Sequence, residues 1–305
     1  MLDGRSISLR NTISWFALVI ATILTSFPVW SQQVREAGTV ATLDFAIAET
    51  LFAFQDLPVA MGSVSNYQSW TEDDSLPPNL VDIGSNPQPN KELLSTLNLD
   101  TILIPLQYAY LKDDLSGIAP VALLSPYNTS PLSGWEKMLA FTEEVGTHTE
   151  RKRDVNQLIV DADDYMNRLR DTATTLPQPL LLVQFLDTRH VRIYGHNSLP
   201  GIVLEQLGLR NAWEGPTSRW GISTIGIGEL FNMEAHFVVV DTSHLPSRHS
   251  IQKNVMASEL WGQLPSVRAG NTTLLDADFW VFGAIPSTLR FASSLVEALE
   301  TPAEP

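Results

Sequence analysis

Apolar residues in this chain fall in short unbroken runs rather than alternating with polar ones. Thr39–Leu43 (TVATL), Val59–Val64, Thr101–Leu106 (TILIPL), Val121–Ser125, Leu180–Leu186 (LLLVQFL), Val191–Gly195, Phe237–Asp241 (FVVVD) and Thr272–Leu275 read as strands buried on both faces. Helical patterns lie between them. Asp44 is placed to cap Phe45–Phe54 and Asn90 to cap Lys91–Leu97. Further helical patterns run from Ser133 to Val145 and over Leu199–Leu207, Gly228–Asn232, Ala257–Leu264 and Pro286–Leu299. Strands alternating with helices predict an α/β protein with mainly parallel sheets.

One segment differs. Thr149–Thr174 has no Pro or Gly, and Val155, Leu158, Ile159, Ala162, Tyr165, Met166 and Leu169 recur at helical spacing. Such a helix is roughly 39 Å long at 1.5 Å per residue. It stops before Leu176-Pro177-Gln178-Pro179. The expected organisation is an N-terminal lobe over 38–146, a bridging helix over 147–176 and a C-terminal lobe over 177–300. The alternative is an ordinary crossover helix within one sheet.

The N-terminus reads as a targeting segment. Arg5 and Arg10 precede the apolar run Trp15–Ile23, and Val29-Trp30-Ser31 puts small residues where a signal peptidase cuts, so residues 1–31 are expected to be a cleaved signal peptide. A retained membrane anchor is the competing reading; the run is near the short limit for a span, and Pro28 interrupts its end. The 305-residue chain carries a net charge of −15. Without residues 1–31, which hold Arg5, Arg10 and Asp3, the charge is about −16. That balance argues against nucleic-acid binding. The absence of cysteine excludes disulfides, thiolate catalysis, iron–sulfur clusters and a lipid-modified N-terminal Cys. A free, monomeric periplasmic protein is expected.

Catalytic motifs are weak. None of the six His forms an H-E-x-x-H pair, and Gly221-Ile222-Ser223 lacks the second Gly of a nucleophile elbow. Asp73-Asp74 and Asp113-Asp114 read as solvated loop charge. A secreted hydrolase using Asp241 with His244 or His249 is the enzyme alternative, and it lacks a nucleophile. Aromatic residues are more informative. Trp70, Tyr108, Trp213, Trp220 and Trp280 follow strands or sit in connecting loops, where α/β sheets bind ligands.

These residues bring a family resemblance into view. Asn66-Tyr67 with Trp70, Leu80-Val81-Asp82-Ile83-Gly84 and Pro89-Asn90-Lys91-Glu92-Leu93-Leu94 mark the first half. Asp187-Thr188-Arg189-His190, Gly195-His196-Asn197-Ser198-Leu199, Asn211-Ala212-Trp213, Trp220-Gly221, Leu260-Trp261, Val267-Arg268-Ala269-Gly270 and Phe279–Ala284 mark the second. In order and spacing the chain resembles the periplasmic iron(III)-hydroxamate-binding proteins of siderophore ABC importers, from about Thr39 to Leu299. The resemblance implies a class III periplasmic binding protein, two α/β lobes on one long bridging helix, that hands a ferric siderophore to an inner-membrane permease and its ATPase. It implies no enzyme activity and no cofactor, with iron held by the siderophore rather than by side chains. It places Phe45, Trp70, Tyr108, Trp213, Trp220, Trp280 and Phe282 in the ligand cleft, with Phe45 and Phe282 where relatives have Trp and Tyr. It puts Asn86 where hydroxamate binders carry an Arg that bonds the iron-coordinating oxygens. Arg192, at a position apolar in relatives, is expected either to compensate toward an anionic chelate or to be a surface strand residue. Glu92 and Glu229 are expected to dock the permease, one from each lobe; a carboxylate there is also favoured simply by the helix dipole. Another bulky chelate, such as a carboxylate siderophore, haem or a corrinoid, is the alternative ligand.

Overall fold

The computed structural model describes residues 39–300 apart from 56–57, 73–75, 243–244, 246–248 and 277. The signal-peptide segment, Asp73, Asp74 and His244 lie outside the described residues.

The first sheet comes from β1 (Val40–Thr42), β2 (Ala60–Met61), β3 (Val81–Asp82), β6 (Thr101–Pro105) and β7 (Val121–Leu124). A small hairpin of β4 (Gly84–Ser85) and β5 (Gln88–Pro89) interrupts the run. Helices α1 (Phe45–Ala53), α2 (Val64–Thr71), α3 (Lys91–Ser95) and α4 (Lys112–Ser116) connect these strands. Strand order is β3-β2-β1-β6-β7, and every pairing is parallel. Successive residues face opposite sides, so Val40 and Leu103 enter one core cluster while Ala41 and Ile102 enter another. The unbroken apolar runs therefore fill both faces. The capping Asp44 and Asn90 accept from the backbone N–H of Ile47 and Leu93, at 3.1 and 2.9 Å.

Two helices follow, α5 (Gly134–His148) and α6 (Lys152–Ala173). α6 begins later than the periodicity suggests because Glu150, at φ 59°, breaks the path from α5. Its buried stripe is Val155, Ala162, Met166 and Ala173. Val155 belongs to the core of the first sheet, and Ala162, Met166 and Ala173 belong to that of the second. Leu158 and Ile159 pack against both. At 22 residues, roughly 33 Å, one helix spans the two cores.

The second sheet contains β8 (Leu180–Phe185), β9 (His190–Tyr194), β10 (Ile222–Gly226), β11 (His236–Asp241) and β12 (Thr272–Asp276), ordered β10-β9-β8-β11-β12. Helices α7 (Leu199–Gln206), α8 (His249–Met256), α9 (Glu259–Gly262) and α10 (Pro265–Arg268) pack around it, and α11 (Ile285–Glu300) closes the chain. Its parallel character has one exception: β9 runs antiparallel to both neighbours. Only four residues separate β8 from β9, too few for a crossover. Asp187 tightens that turn by accepting from the N–H groups of Arg189 and His190 and from the His190 ring. The His190 ring holds the Asp187 carboxyl down at about 2.

The two sheets are joined a second time where α11 begins. Glu49 of α1 is 2% exposed. Its carboxylate accepts from the Ala284 N–H at 2.5 Å, from the Ser287 N–H and hydroxyl, and from Arg290 at 3.4 Å. A carboxylate from one half thus caps a helix of the other. Gly283 makes this approach possible, since a Cβ there would lie 2.6 Å from Glu49 Oε1. Beside it the Tyr127 hydroxyl donates to the Gly283 carbonyl at 2.9 Å.

Burial pushes the Glu49 carboxyl from 4.5 up to about 7, against the pull of Arg290 and its hydrogen bonds. Between those values the folded state holds a proton that the unfolded state has lost, so this group's contribution to stability falls as pH rises through that window. Glu49→Gln is expected to flatten the decline of Tm between pH 5 and 7. Glu49→Ala is expected to cost about 2–4 kcal/mol by stranding the α11 donors and Arg290. Denaturant melts across pH check both; an unchanged pH slope in Glu49→Gln removes Glu49 as the titrating group.

Candidate ligand-binding site

In the first sheet the connections diverge at β1, toward β2 on one side and β6 on the other, which is the topological switch point where α/β sheets bind ligands. A cavity of about 290 Å³ opens there, between the two sheets. The first half supplies Asp44 after β1, Gln107 after β6, and Ser125 and Tyr127 after β7. The second half supplies Trp220 and Ile222 at the entry to β10, and Trp280 and Phe282 on the segment between β12 and α11.

Trp280 organises the aromatic wall. Its ring meets Phe45, Trp70 and Phe282 edge-on, at centroid distances of 5.1, 5.2 and 5.4 Å. The main chain fixes its position, because the Trp280 N–H donates to the Ser287 hydroxyl, itself bonded to Glu49. Trp220 is presented differently. The next residue, Gly221, sits at φ 72° with its Cα so close to Ser198 that a Cβ would fall 1.9 Å from the Ser198 nitrogen. Only glycine makes this turn. The Arg219 guanidinium lies 4.2 Å from the Trp220 ring centroid and stacks on it.

Of the residues named from sequence, Trp220, Trp280 and Phe282 line this cavity, whereas Phe45 and Trp70 buttress Trp280 from behind. Trp213 is a core residue instead: it is 8% exposed and packs among the apolar residues of the second sheet. Arg192 is not in the lining. Its Nη1 donates to Gln184 Oε1 at 2.8 Å, an acceptor shared with the Tyr194 hydroxyl, and Phe282 lies over the guanidinium at 5.5 Å. Asn86 occupies the hairpin turn between β4 and β5, with its side-chain oxygen buried, unpartnered and packed over Gly62. It too is outside the lining, as is half-exposed Tyr108. Burial, and then the charge of Asp44, push the Tyr108 hydroxyl up. Glu92 is exposed in the first turn of α3, and Glu229 is exposed in the first turn of a short 3-10 helix, Ile227–Asn232, where it accepts from the Gly226 N–H. Asp241 is buried at the end of β11.

Sequence reasoning treated Asp44 only as a cap. It is the charged group of the cavity lining, and burial pushes its carboxyl up to about 6 despite the N–H groups of Ile47 and Ala46. Its position after the first strand at a switch point was the available signal. Among the described residues no cluster of three His, Cys, Asp or Glu side chains could hold a metal ion. The lining offers aromatic faces, uncharged donors from Gln107 and Ser125, and one carboxylate.

A family model described as periplasmic binding protein matches residues 40–279. The iron(3+)-hydroxamate-binding protein FhuD of Escherichia coli (strain K12) is 27% identical over 284 residues, 89% of this chain and 92% of that protein. The siderophore-binding protein FhuD from Vibrio cholerae, solved with Fe3+–Desferal bound, superposes with a TM-score of 0.77 at 25% identity, covering 88% of this chain and all of that one. The petrobactin-binding protein YclQ of Bacillus subtilis shares the fold, with a TM-score of 0.69 at 19% identity over 87% of this chain and 93% of that one.

The two cavity tryptophans should separate by experiment. Trp280→Ala removes the hub of the aromatic wall and is expected to cost about 3 kcal/mol of stability. Trp220→Ala, at a turn and stacked on Arg219 with no partner ring among the described residues, is expected to cost less, about 1 kcal/mol. Urea unfolding of both variants is the check, and equal losses contradict the assignment of Trp280 as hub.

Proposed function

The chain belongs to the periplasmic binding protein family, and from that premise we propose that it captures a ferric siderophore, of hydroxamate type, in the periplasm and delivers it to an inner-membrane ABC permease. The observation that carries this reading is the aromatic cavity at the switch point, in a chain similar over nine-tenths of its length to an iron(3+)-hydroxamate-binding protein. A hydroxamate chelate presents an apolar periphery and a ring of oxygens around the iron. Trp220, Trp280 and Phe282 suit the first, and Gln107 and Ser125 are donors for the second. The siderophore supplies all the iron ligands, and the protein acts by enclosing the chelate. Arg192 turned toward Gln184 and Asp44 facing the cavity both favour a neutral or donor-bearing chelate body over an anionic one.

Export by the segment 1–31 and action as a monomer complete the proposal. Glu92 and Glu229, each on a first turn in its own half, serve as docking carboxylates for cationic residues of the permease.

Titrating the purified protein with ferric hydroxamate, catecholate and carboxylate siderophores, read by tryptophan fluorescence, is expected to give saturable quenching at one equivalent with hydroxamates. Quenching by a haem or a corrinoid alone redirects the ligand assignment. In cells, the double variant Glu92→Lys/Glu229→Lys is expected to bind its siderophore with affinity unchanged within about twofold and to abolish uptake. Normal uptake by that variant removes the docking role.

A further inference from the structure

A second cavity, also about 290 Å³, shares Pro126 and Tyr127 with the aromatic one and extends away from it between the same two halves. Its lining is of a different chemistry. Lys137 of α5 and Arg219 reach it from opposite halves, with Asn197, Thr217 and Ser218 supplying uncharged polar groups. Among the described residues neither cation has a carboxylate within ion-pair distance. Glu136, the neighbour of Lys137 in sequence, is committed to the Ser133 N–H at 2.8 Å. In a protein with 34 acidic and 19 basic side chains, the convergence of two cations from opposite halves on one cavity stands out against the general field. Arg219 also stacks on Trp220, which lines the aromatic cavity, so the two spaces share a wall that is aromatic on one side and cationic on the other.

We infer that this second cavity is a subsite for an anionic arm, a carboxylate, on the chelate whose body occupies the aromatic cavity. The inference rests on the siderophore reading above and specifies the ligand class further. Each space alone lies near the lower limit for a small-molecule site, so a chelate with a pendant chain fills one and extends into the other. The joined cleft carries opposite charge at its two ends, Asp44 on one side and Lys137 and Arg219 on the other. A ligand with a negative tail is thereby seated in one orientation, tail away from Asp44.

Three ferric trihydroxamates that share one core and differ only in the terminal group test this: an ammonium, its neutral acetamide and its anionic succinamate. The wild-type protein is expected to bind the succinamate about tenfold more tightly than the acetamide, as two charge-assisted contacts in a partly open site allow. The preference should shrink as salt is raised. In Lys137→Gln/Arg219→Gln the succinamate-to-acetamide ratio is expected to fall to near one, with thermal unfolding confirming the fold, and Lys137→Arg should retain the preference. Equal binding of all three by the wild type overturns the subsite and leaves the siderophore reading standing. Binding of none overturns both. A preference that survives in the double variant places the anion contact elsewhere and overturns the assignment to Lys137 and Arg219. Free succinate that binds this cavity without any preference among the chelates overturns the assignment to a chelate arm.

Discussion

The buried carboxylate of Glu49 is the constraint on which the rest of the site depends. It reaches from α1, behind the first sheet, to the start of α11, behind the second. Through Ser287 it fixes the backbone at Trp280, and through Gly283 it shares a joint with Tyr127. Trp280 then gathers Phe45, Trp70 and Phe282 into one wall. An unpaired charge at this depth is costly, and three donors from Ala284 and Ser287 together with partly buried Arg290 offset it. The aromatic wall is therefore held by a polar joint behind it, which leaves its face clear for a ligand.

Charge along the cleft is uneven. A strongly acidic protein puts its cavity carboxylate, Asp44, at the switch point and two cations, Lys137 and Arg219, in the adjoining space. Arg192, on β9, donates to Gln184 inside the sheet and lines neither cavity. The long side chain of an arginine can turn inward or outward, and here the acceptor inside the sheet takes it.

Much of this architecture is legible in the sequence. Runs such as LLLVQFL and FVVVD read as doubly buried strands because period-two geometry puts half of each run on either face. The stripe from Val155 to Ala173 reads as one long helix for the corresponding reason at period 3.6. The short strand β3 and the edge strand β10 were harder. Val81–Asp82 is only two residues, and Ile222–Gly226 (ISTIG) lacks an apolar run. The direction of β9 was present in the four-residue gap after β8 but was hidden by the apolar run, which looks alike in parallel and antiparallel sheets. At the site, aromatic residues near strand ends marked the cavity. They did not separate Trp213, a core residue, from Trp220, seven residues later and at the cavity mouth. That distinction lies in the Gly221 turn, a matter of backbone path. Asp44, Lys137 and Arg219 escaped notice because a cap, a helix-surface lysine and a loop arginine are ordinary until the two halves bring them to the same cleft.

The placement of Ala284 in the core of the first sheet bears on how the chain assembles. The first half cannot complete its interior from its own residues. It waits for a segment synthesised about 180 residues after β6 ends, which arrives together with the α11 donors that satisfy Glu49. Until then α1 carries an uncapped partner site and an open hydrophobic seam, and its native state has little to hold it. The delay is written into the topology: the piece that completes the interior of the first sheet follows the second sheet in sequence, so premature folding of the leading half lacks its final contacts.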